Sequence, residues 1–259
     1  MSKALLLTVN VHGVGPEAAS QPEADLFGRD AHGKYTYRIG LERLLDALRA
    51  FGLPATLFWP SGEAQRMPAL FERCLRDGHE VASHGRAFED HAGLGAAEDA
   101  VIEEAHHELT RLAGTPPLGF RSPTGTLSER TIPILQRLGY RYDSSFLDDD
   151  APYSLAGDGG PAMIELPVSE ALIDATHFRR RVTQDRAEAL MSEELGALLA
   201  VDGYACLTFH PRADIGIGRA ARLPILERLV RLAGAQGAMP VLCRDAAERA
   251  RQSLIVTSG

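Results

Sequence analysis

Short apolar runs recur along the chain and predict buried strands. Each run holds five to eight residues and is followed by turn-forming or polar residues. The runs cover residues 4–11, 54–60, 79–85, 118–123, 141–145, 163–169, 204–211 and 239–245. Between most of them, apolar residues recur three and four positions apart, which is the spacing of one helix face. These patterns predict a helix from Leu41 to a stop at Gly52, and helices near 65–77, 96–113, 185–200 and 221–234.

The alternation of strands and helices predicts an α/β fold with a mainly parallel sheet covered by helices. About eight strands in 259 residues suit a closed β/α barrel, with an open doubly wound sheet as the alternative. No glycine-rich phosphate loop follows the first strand, which argues against nucleotide binding.

Polar residues stand at the carboxyl ends of the predicted strands. They are Asn10 and His12 on the first strand, His84 on the third, Arg121 on the fourth, Asp143 with Ser144 and Ser145 on the fifth, and His210 on the seventh, while Glu165 lies inside the sixth. The strands of a barrel all end at one face, where enzymes of this architecture place their chemistry. Asn10 and His12 are two residues apart, so both point to the same side. We therefore expect one site built from several strand ends.

Composition narrows the class of protein. The chain is 45% hydrophobic and 24% charged, with a net charge of −8 and both signs scattered, which argues against a nucleic-acid surface. Three distant cysteines predict neither a disulfide framework nor a cysteine zinc site. No apolar stretch reaches the roughly 20 residues of a membrane helix. The start of the chain lacks a clear cleavage site. We expect a cytoplasmic protein with no membrane or nucleic-acid partner.

Several segments together resemble the polysaccharide deacetylases of the NodB-homology type. They are "LTVNVHG", the stretch from "YTYRIG" to "EVASHG", "GFRSPTGTLSERTIPILQRLGYRYDSS", "IELPVSEALID" and "LTFHPRADIGIGRAARLPILERLV". The likeness is greatest to the intracellular branch that holds peptidoglycan-deacetylase-like proteins and metal-independent allantoinases. The resemblance implies one NodB-type domain over residues 1–259, folded as a distorted β/α barrel of about seven parallel strands.

The resemblance also implies roles for individual residues. His210 matches the family's late catalytic histidine, and Arg121 matches its motif arginine. Asn10 stands where metal-dependent members have a base aspartate. An amide does not titrate, so Asn10 is expected to hold water or donate to an oxyanion. Arg121 is expected in the pocket, bound to substrate or oxyanion, with a salt bridge to Glu165 or Asp143 as the alternative.

The metal positions of the family are only partly kept. His12 and His84 match two of them, but Phe88 matches a third and binds no metal. A catalytic zinc usually needs three protein ligands, so either a zinc ion held by His12 and His84 with a rearranged loop, or metal-independent action, is compatible with the sequence. His91, Glu89 and Asp90 are the residues that such a loop rearrangement could supply.

Three further residues are expected to bind substrate: Trp59, Phe88 and Glu165. The expected activity is hydrolysis of a non-peptide carbon–nitrogen bond, the deacetylation of an N-acyl sugar or small amide. Two alternatives stay open: metal-independent opening of a cyclic amide, and a non-catalytic carbohydrate-binding relic. The expected partner is a small-molecule or sugar amide, and a homo-oligomer is compatible with the resemblance.

Overall fold

A computed structural model describes residues 3–28, 31–155 and 162–257. Its strands are β1 (Ala4–Asn10), β2 (Thr56–Trp59), β3 (Glu80–Ser83), β4 (Gly119–Phe120), β5 (Tyr142–Asp143), β6 (Tyr153–Leu155), β7 (Met163–Glu165), β8 (Tyr204–Phe209) and β9 (Met239–Val241). Its α-helices are α1 (Gly15–Ala18), α2 (Leu41–Ala50), α3 (Ser61–Arg66), α4 (Pro68–Arg76), α5 (Glu98–Ala113), α6 (Thr131–Arg137), α7 (Asp174–Arg179), α8 (Gln184–Val201), α9 (Pro224–Ala235) and α10 (Cys243–Thr257). Short 3₁₀ and π-helical turns join them.

The strands form one curled sheet in the order β6-β7-β5-β4-β3-β2-β1-β8, with β9 paired to β1. Every pairing is parallel except that of β6 with β7. The expected distorted barrel of mainly parallel strands is therefore confirmed as a curled half-barrel. The described residues hold eight parallel strands because β9 adds to the first half of β1, at Ala4–Leu6.

The core is formed by the apolar strands and by the apolar faces of the helices. β1, β2 and β8 are buried along almost their whole length, as strands covered on both faces must be. Helix α2 turns Leu41, Leu44, Leu45 and Leu48 towards the sheet, each no more than 1% exposed. The predicted helix near 65–77 is two helices, α3 and α4, because Pro68 interrupts the pattern and opens α4.

Two strand residues at the amino end of the sheet cap the last helix. Glu80 Oε2 accepts a hydrogen bond from the Arg244 N–H at 3.0 Å, and Thr56 Oγ1 accepts one from the Cys243 N–H at 3.0 Å. These are the first N–H groups of α10, which have no partner inside the helix. Glu80 also accepts from Thr56 Oγ1 and Tyr142 Oη. The buried carboxylate thus ties α10 to β2, β3 and β5.

Among the described helices, none has both the length and the apolar character that crossing a membrane requires.

Gly119 shows how closely the strands pack at the amino end of the sheet. A Cβ atom there would lie 1.8 Å from Tyr142 Cζ, in the ring that bonds Glu80. We predict that Gly119→Ala lowers the free energy of unfolding by about 1–3 kcal/mol, the usual effect of overpacking. Gly234→Ala is the matched control, because nothing lies within 4 Å of that Cβ on the exposed side of α9. It should stabilise the protein by up to about 1 kcal/mol, since alanine favours helix. Equal effects of the two substitutions in urea unfolding would contradict this packing.

Candidate active site

The carboxyl ends of four strands bring the predicted polar residues together. Asn10 ends β1, and His84, Arg121 and His210 directly follow β3, β4 and β8. Backbone hydrogen bonds hold these ends in register: the His84 N–H donates to Trp59 O, and the Arg121 N–H donates to Ser83 O. The structure thus places the residues at one face, as the parallel strand order requires.

Three histidines, His12, His84 and His210, form what we call the imidazole cluster. His12 Nε2 lies 3.0 Å from His84 Nε2, and the ring centroids of His12 and His210 are 4.8 Å apart. Burial lowers the pKa of His84 to about 3 and that of His12 well below its usual range, and the charges of nearby side chains add to both shifts. Both rings are therefore neutral at neutral pH.

His210 is held by an aspartate from a neighbouring segment. Its Nδ1 lies 2.6 Å from Asp174 Oδ1, on the first residue of α7. The other carboxylate oxygen accepts the N–H groups of His210 at 2.9 Å and Ile217 at 2.8 Å. Three donors fix the carboxylate as a hydrogen-bond acceptor, so His210 carries its hydrogen on Nδ1 and turns Nε2 towards Asn10.

Asp174 has no predicted role, although it lies within one of the family-like segments. An acidic residue in the first turn of a helix is ordinarily expected to favour the helix dipole. Nothing in the local sequence shows that this one faces a histidine 36 positions later.

Asn10 is oriented by Arg121. Arg121 Nη1 donates to Asn10 Oδ1 at 3.0 Å, which leaves the amide nitrogen 3.4 Å from His210 Nε2. The orientation of an amide follows from such a network, because only its oxygen accepts. Asn10 therefore presents N–H groups to the site, where they can donate to a developing oxyanion.

Arg121 lies behind Asn10, and the expectation that it binds substrate is not supported. Its N–H groups donate to Ser144 O, Ser144 Oγ, Thr8 Oγ1, Asn10 Oδ1 and Thr208 Oγ1, and its guanidinium stacks 4.1 Å from the Phe58 ring centroid. It is 4% exposed, so no free donor points to the site. The alternative salt bridge with Glu165 or Asp143 does not form among the described residues either. Arg121 acts on the site through Asn10.

The three residues expected to bind substrate lie in different environments. Phe88 is half-buried and packs its ring edge against His12, with centroids 4.9 Å apart, so it lines the site. Trp59 does not, because it is fully buried and packs on Phe71 in the core. Glu165 does not either. It is fully buried, accepts the Phe146 N–H at 3.1 Å, and lies beside Asp143 on the paired strand. Burial raises the pKa of both carboxyls.

The donor set does not fit a catalytic zinc ion. No three histidine, cysteine, aspartate or glutamate side chains in the described ranges are grouped as metal ligands. His12 and His84 point their Nε2 atoms at each other, and Phe88 stands beside them. The loop residues are engaged elsewhere: His91 packs against Phe120, Glu89 accepts the Arg86 and Ala87 N–H groups, and Asp90 accepts from Thr126. The expected metal-ligand roles of His12 and His84 therefore lack a third partner, and no step is derived through a metal.

A buried glutamate forms the wall behind His12. The residue after His12 is Gly13, with φ of +51°, where a Cβ atom would lie 2.2 Å from Glu63 Oε2. Only glycine tolerates both the conformation and this approach. Glu63 Oε1 accepts from Tyr37 Oη at 3.1 Å, and burial raises the pKa of Glu63 to about 7.

Two cavities lie away from the imidazole cluster. One of about 530 Å³ lies at the amino ends of β4 and β5, between Tyr140 and Arg244. Another of about 690 Å³ lies between α3 and α5, on the outer side of the loop after His84. Neither is lined by a residue of the cluster. The grouping of side chains, rather than cavity volume, identifies the candidate site.

Comparisons with known proteins agree with this fold. The family model of polysaccharide deacetylases matches residues 36–142. A solved Mycobacterium smegmatis structure, assigned as a polysaccharide deacetylase, is 30% identical with a TM-score of 0.89, and the alignment covers 98% of this chain and 92% of that one. This chain therefore belongs to the polysaccharide deacetylase family.

Two further proteins are more distant. The peptidoglycan deacetylase of Helicobacter pylori is 28% identical over 160 residues, which cover 59% of this chain and 54% of that protein. The chain thus spans about half the length of this curated relative. Puue allantoinase is 24% identical with a TM-score of 0.81, over 95% of this chain and 89% of that one, and shares the fold.

Glu63 predicts a pH-dependent stability. Its folded pKa of about 7 lies above the ordinary 4.5, so the folded state holds the proton more tightly than the unfolded chain. The resulting stabilisation is complete below pH 4.5 and is lost as the pH rises to 7. Glu63→Gln keeps the neutral shape. We predict that its stability relative to the unmutated protein rises by up to about 1.4 kcal/mol per pH unit in that window.

Urea unfolding of both proteins between pH 5 and pH 8 measures this difference. Glu104→Gln, which removes an exposed carboxylate, is the control and should show little trend. A stability difference between the Glu63 variant and the unmutated protein that stays constant with pH would contradict the raised pKa of Glu63.

Proposed function

We propose that this chain is a hydrolase of non-peptide carbon–nitrogen bonds that acts on an N-acyl sugar or another small amide. The observation that carries the proposal is the His210–Asp174 pair, aimed through Nε2 at the amide of Asn10. A histidine held in this way is suited to give a proton to a leaving nitrogen, and the Asn10 N–H groups are suited to stabilise an oxyanion. Family membership and the name of the Helicobacter pylori relative support the substrate class.

The reaction follows from these positions. Water forms a bond to the carbonyl carbon and gives a proton to the bare Nε2 of His210, while the carbonyl π electrons move to the oxygen, where Asn10 donates a hydrogen bond. His210 then gives that Nε2 proton to the nitrogen as the carbon–nitrogen bond breaks, which releases a carboxylic acid and an amine. Asp174 stabilises the imidazolium and keeps the ring oriented.

The burial of the site favours a small acyl group. Asn10, His12 and His210 are 9%, 6% and 3% exposed, so little of their surface is accessible to a substrate. Phe88 offers an apolar edge beside them. An acetyl group meets both conditions. A flat cyclic amide against Phe88 is the second candidate, and its hydrolysis would open a ring with the same residues.

Turnover of a panel of N-acetylated sugars and cyclic amides tests the proposal. We expect the unmutated protein to hydrolyse at least one class, and His210→Ala to lose about 100-fold or more in kcat, the usual scale of acid–base catalysis. His107→Ala, at an exposed histidine of α5, is the control and should keep full activity. No turnover, together with tight binding of a sugar, would instead indicate a carbohydrate-binding relic.

Asp174→Asn tests how His210 is oriented. The substituted amide no longer offers two acceptor oxygens to three donors, and it favours the opposite tautomer of His210. We predict a kcat reduced by about 10²–10⁴-fold with KM little changed. Because Asp174 also bonds two backbone N–H groups, circular dichroism should first show that the variant is folded. An unchanged kcat in a folded variant would remove Asp174 from the mechanism.

A further inference from the structure

Three arginines gather beside the loop that follows His210. Arg219 and Arg222 lie on a helical turn that leads into α9, and the Arg222 N–H donates to Arg219 O at 2.9 Å. Side chains three residues apart on such a turn lie on the same side. Arg43 of α2 reaches the same loop, where its Nη1 donates to Gly218 O at 3.3 Å. We call Arg43, Arg219 and Arg222 the arginine cluster.

Two aromatic rings hold the arginine cluster in place. Tyr35 Oη accepts from Arg43 Nη1 at 2.7 Å, and the guanidinium of Arg219 lies 5.7 Å from the centroid of the Tyr35 ring. The guanidinium of Arg222 stacks 4.0 Å from the ring centroid of Phe178 in α7. An aromatic ring supports a guanidinium through its π face but leaves the positive charge in place.

The hydrogen bonds of the arginine cluster go to neutral oxygen atoms. Arg219 Nε donates to Ala213 O at 2.6 Å. Arg222 Nη1 donates to two further carbonyl oxygens, of Asp214 at 3.1 Å and of Gly216 at 2.9 Å. Within the described ranges, no carboxylate lies within ion-pair distance of the three guanidinium groups. Arg219 is exposed and the other two are half-buried, so a ligand from solvent can reach their remaining N–H groups.

The carboxylates on neighbouring elements are bonded to other groups. They are Asp214 with Arg212, Asp174 with His210, and Glu227 with Arg231. Burial, and after it the charge of Arg219, lower the pKa of Arg222 below its ordinary value, although Asp174 and Asp214 act in the opposite direction. Positive charge is thus concentrated beside this loop, in a chain whose net charge is −8.

We propose that the arginine cluster binds the phosphate group of a ligand. A phosphate group presents three terminal oxygens and about two negative charges, and a planar guanidinium donates to such oxygens in pairs. Helix α9 begins at Pro224, directly after the turn that carries Arg219 and Arg222, so its dipole adds partial positive charge at the same place. A bound phosphate accepts from the remaining N–H groups and offsets the repulsion between the three like charges.

The loop between β8 and the arginine cluster connects the cluster to the candidate active site. The Gly218 N–H donates to His210 O at 3.3 Å, and the Ile217 N–H donates to Asp174 Oδ2 at 2.8 Å. Two sources of phosphate fit this position: a phosphate ester on an N-acyl sugar, and free phosphate that acts on the loop. The first source rests on the proposed hydrolase function, whereas phosphate binding itself does not.

Isothermal titration calorimetry with inorganic phosphate at low ionic strength tests the site without any substrate. We expect the unmutated protein to bind phosphate, and Arg219→Gln to weaken that binding about 10-fold or more, because a charge-assisted hydrogen bond is lost. Arg228→Gln on α9 is the matched control, since that guanidinium already pairs with Glu188. Its affinity for phosphate should equal that of the unmutated protein.

Arg219→Lys separates the guanidinium geometry from the charge. Lysine keeps the positive charge but lacks the planar fork of donors, so its affinity for phosphate should lie between those of the unmutated protein and Arg219→Gln. Thermal midpoints measured without phosphate show that each variant is folded before its affinity is compared. No phosphate binding by the unmutated protein, or equal affinities of Arg219→Gln and Arg228→Gln, would overturn the proposal.

A comparison of an N-acetylated sugar with its phosphate ester identifies the source. If the substrate carries the phosphate, the ester should have a KM about 10-fold lower, and Arg219→Gln should remove that difference. Equal KM values for the two sugars, together with phosphate binding, support the site and identify free phosphate as its ligand. If neither sugar is hydrolysed but phosphate binds, the phosphate site stands and the hydrolase function is wrong for these substrates.

Discussion

The site depends on a buried guanidinium, that of Arg121, which contacts no carboxylate within the described part of the chain. Arg121 is 4% exposed, and moving its charge out of water is unfavourable unless every N–H group finds an acceptor. The acceptors come from the ends of β1, β5 and β8: Thr8, Asn10, Ser144 and Thr208. Satisfying one cation therefore fixes three strand ends. That requirement also determines the orientation of Asn10 beside His210.

The sequence predicts those parts of the fold in which apolar residues recur in a regular pattern. All eight predicted apolar runs contain strands, because continuous burial needs continuous apolar residues. The shared position of His12, His84 and His210 follows from parallel strand ends. β6, by contrast, is partly exposed and only three residues long, so its composition carries no strand signal. The break between α3 and α4 was not predicted, because the apolar residues on both sides of Pro68 fit the pattern of a single helix.

Individual roles were harder to predict because they depend on side-chain direction and on distant partners. Trp59 ends a strand that was correctly placed, yet it points into the core against Phe71 rather than to the site. Strand periodicity separates the residues of a strand into two faces. It does not show which of these faces points to the site and which points to the core. Asp174 meets His210 only through tertiary packing, and Glu63 reaches Gly13 in the same way. No local sequence pattern indicates these tertiary contacts.

The pairing of β1 has a consequence for how the protein folds. This strand takes its neighbours from β2 on one side and from β8, about 200 residues later, on the other, while β9 joins its first half. During synthesis β1 leaves the ribosome about 200 residues before β8, so the backbone groups on one edge of β1 have no strand partner in that interval. Contacts so remote in sequence predict slow folding, with an apolar strand edge exposed in the meantime. The order of the strands thus sets the interval during which this edge is open to aggregation.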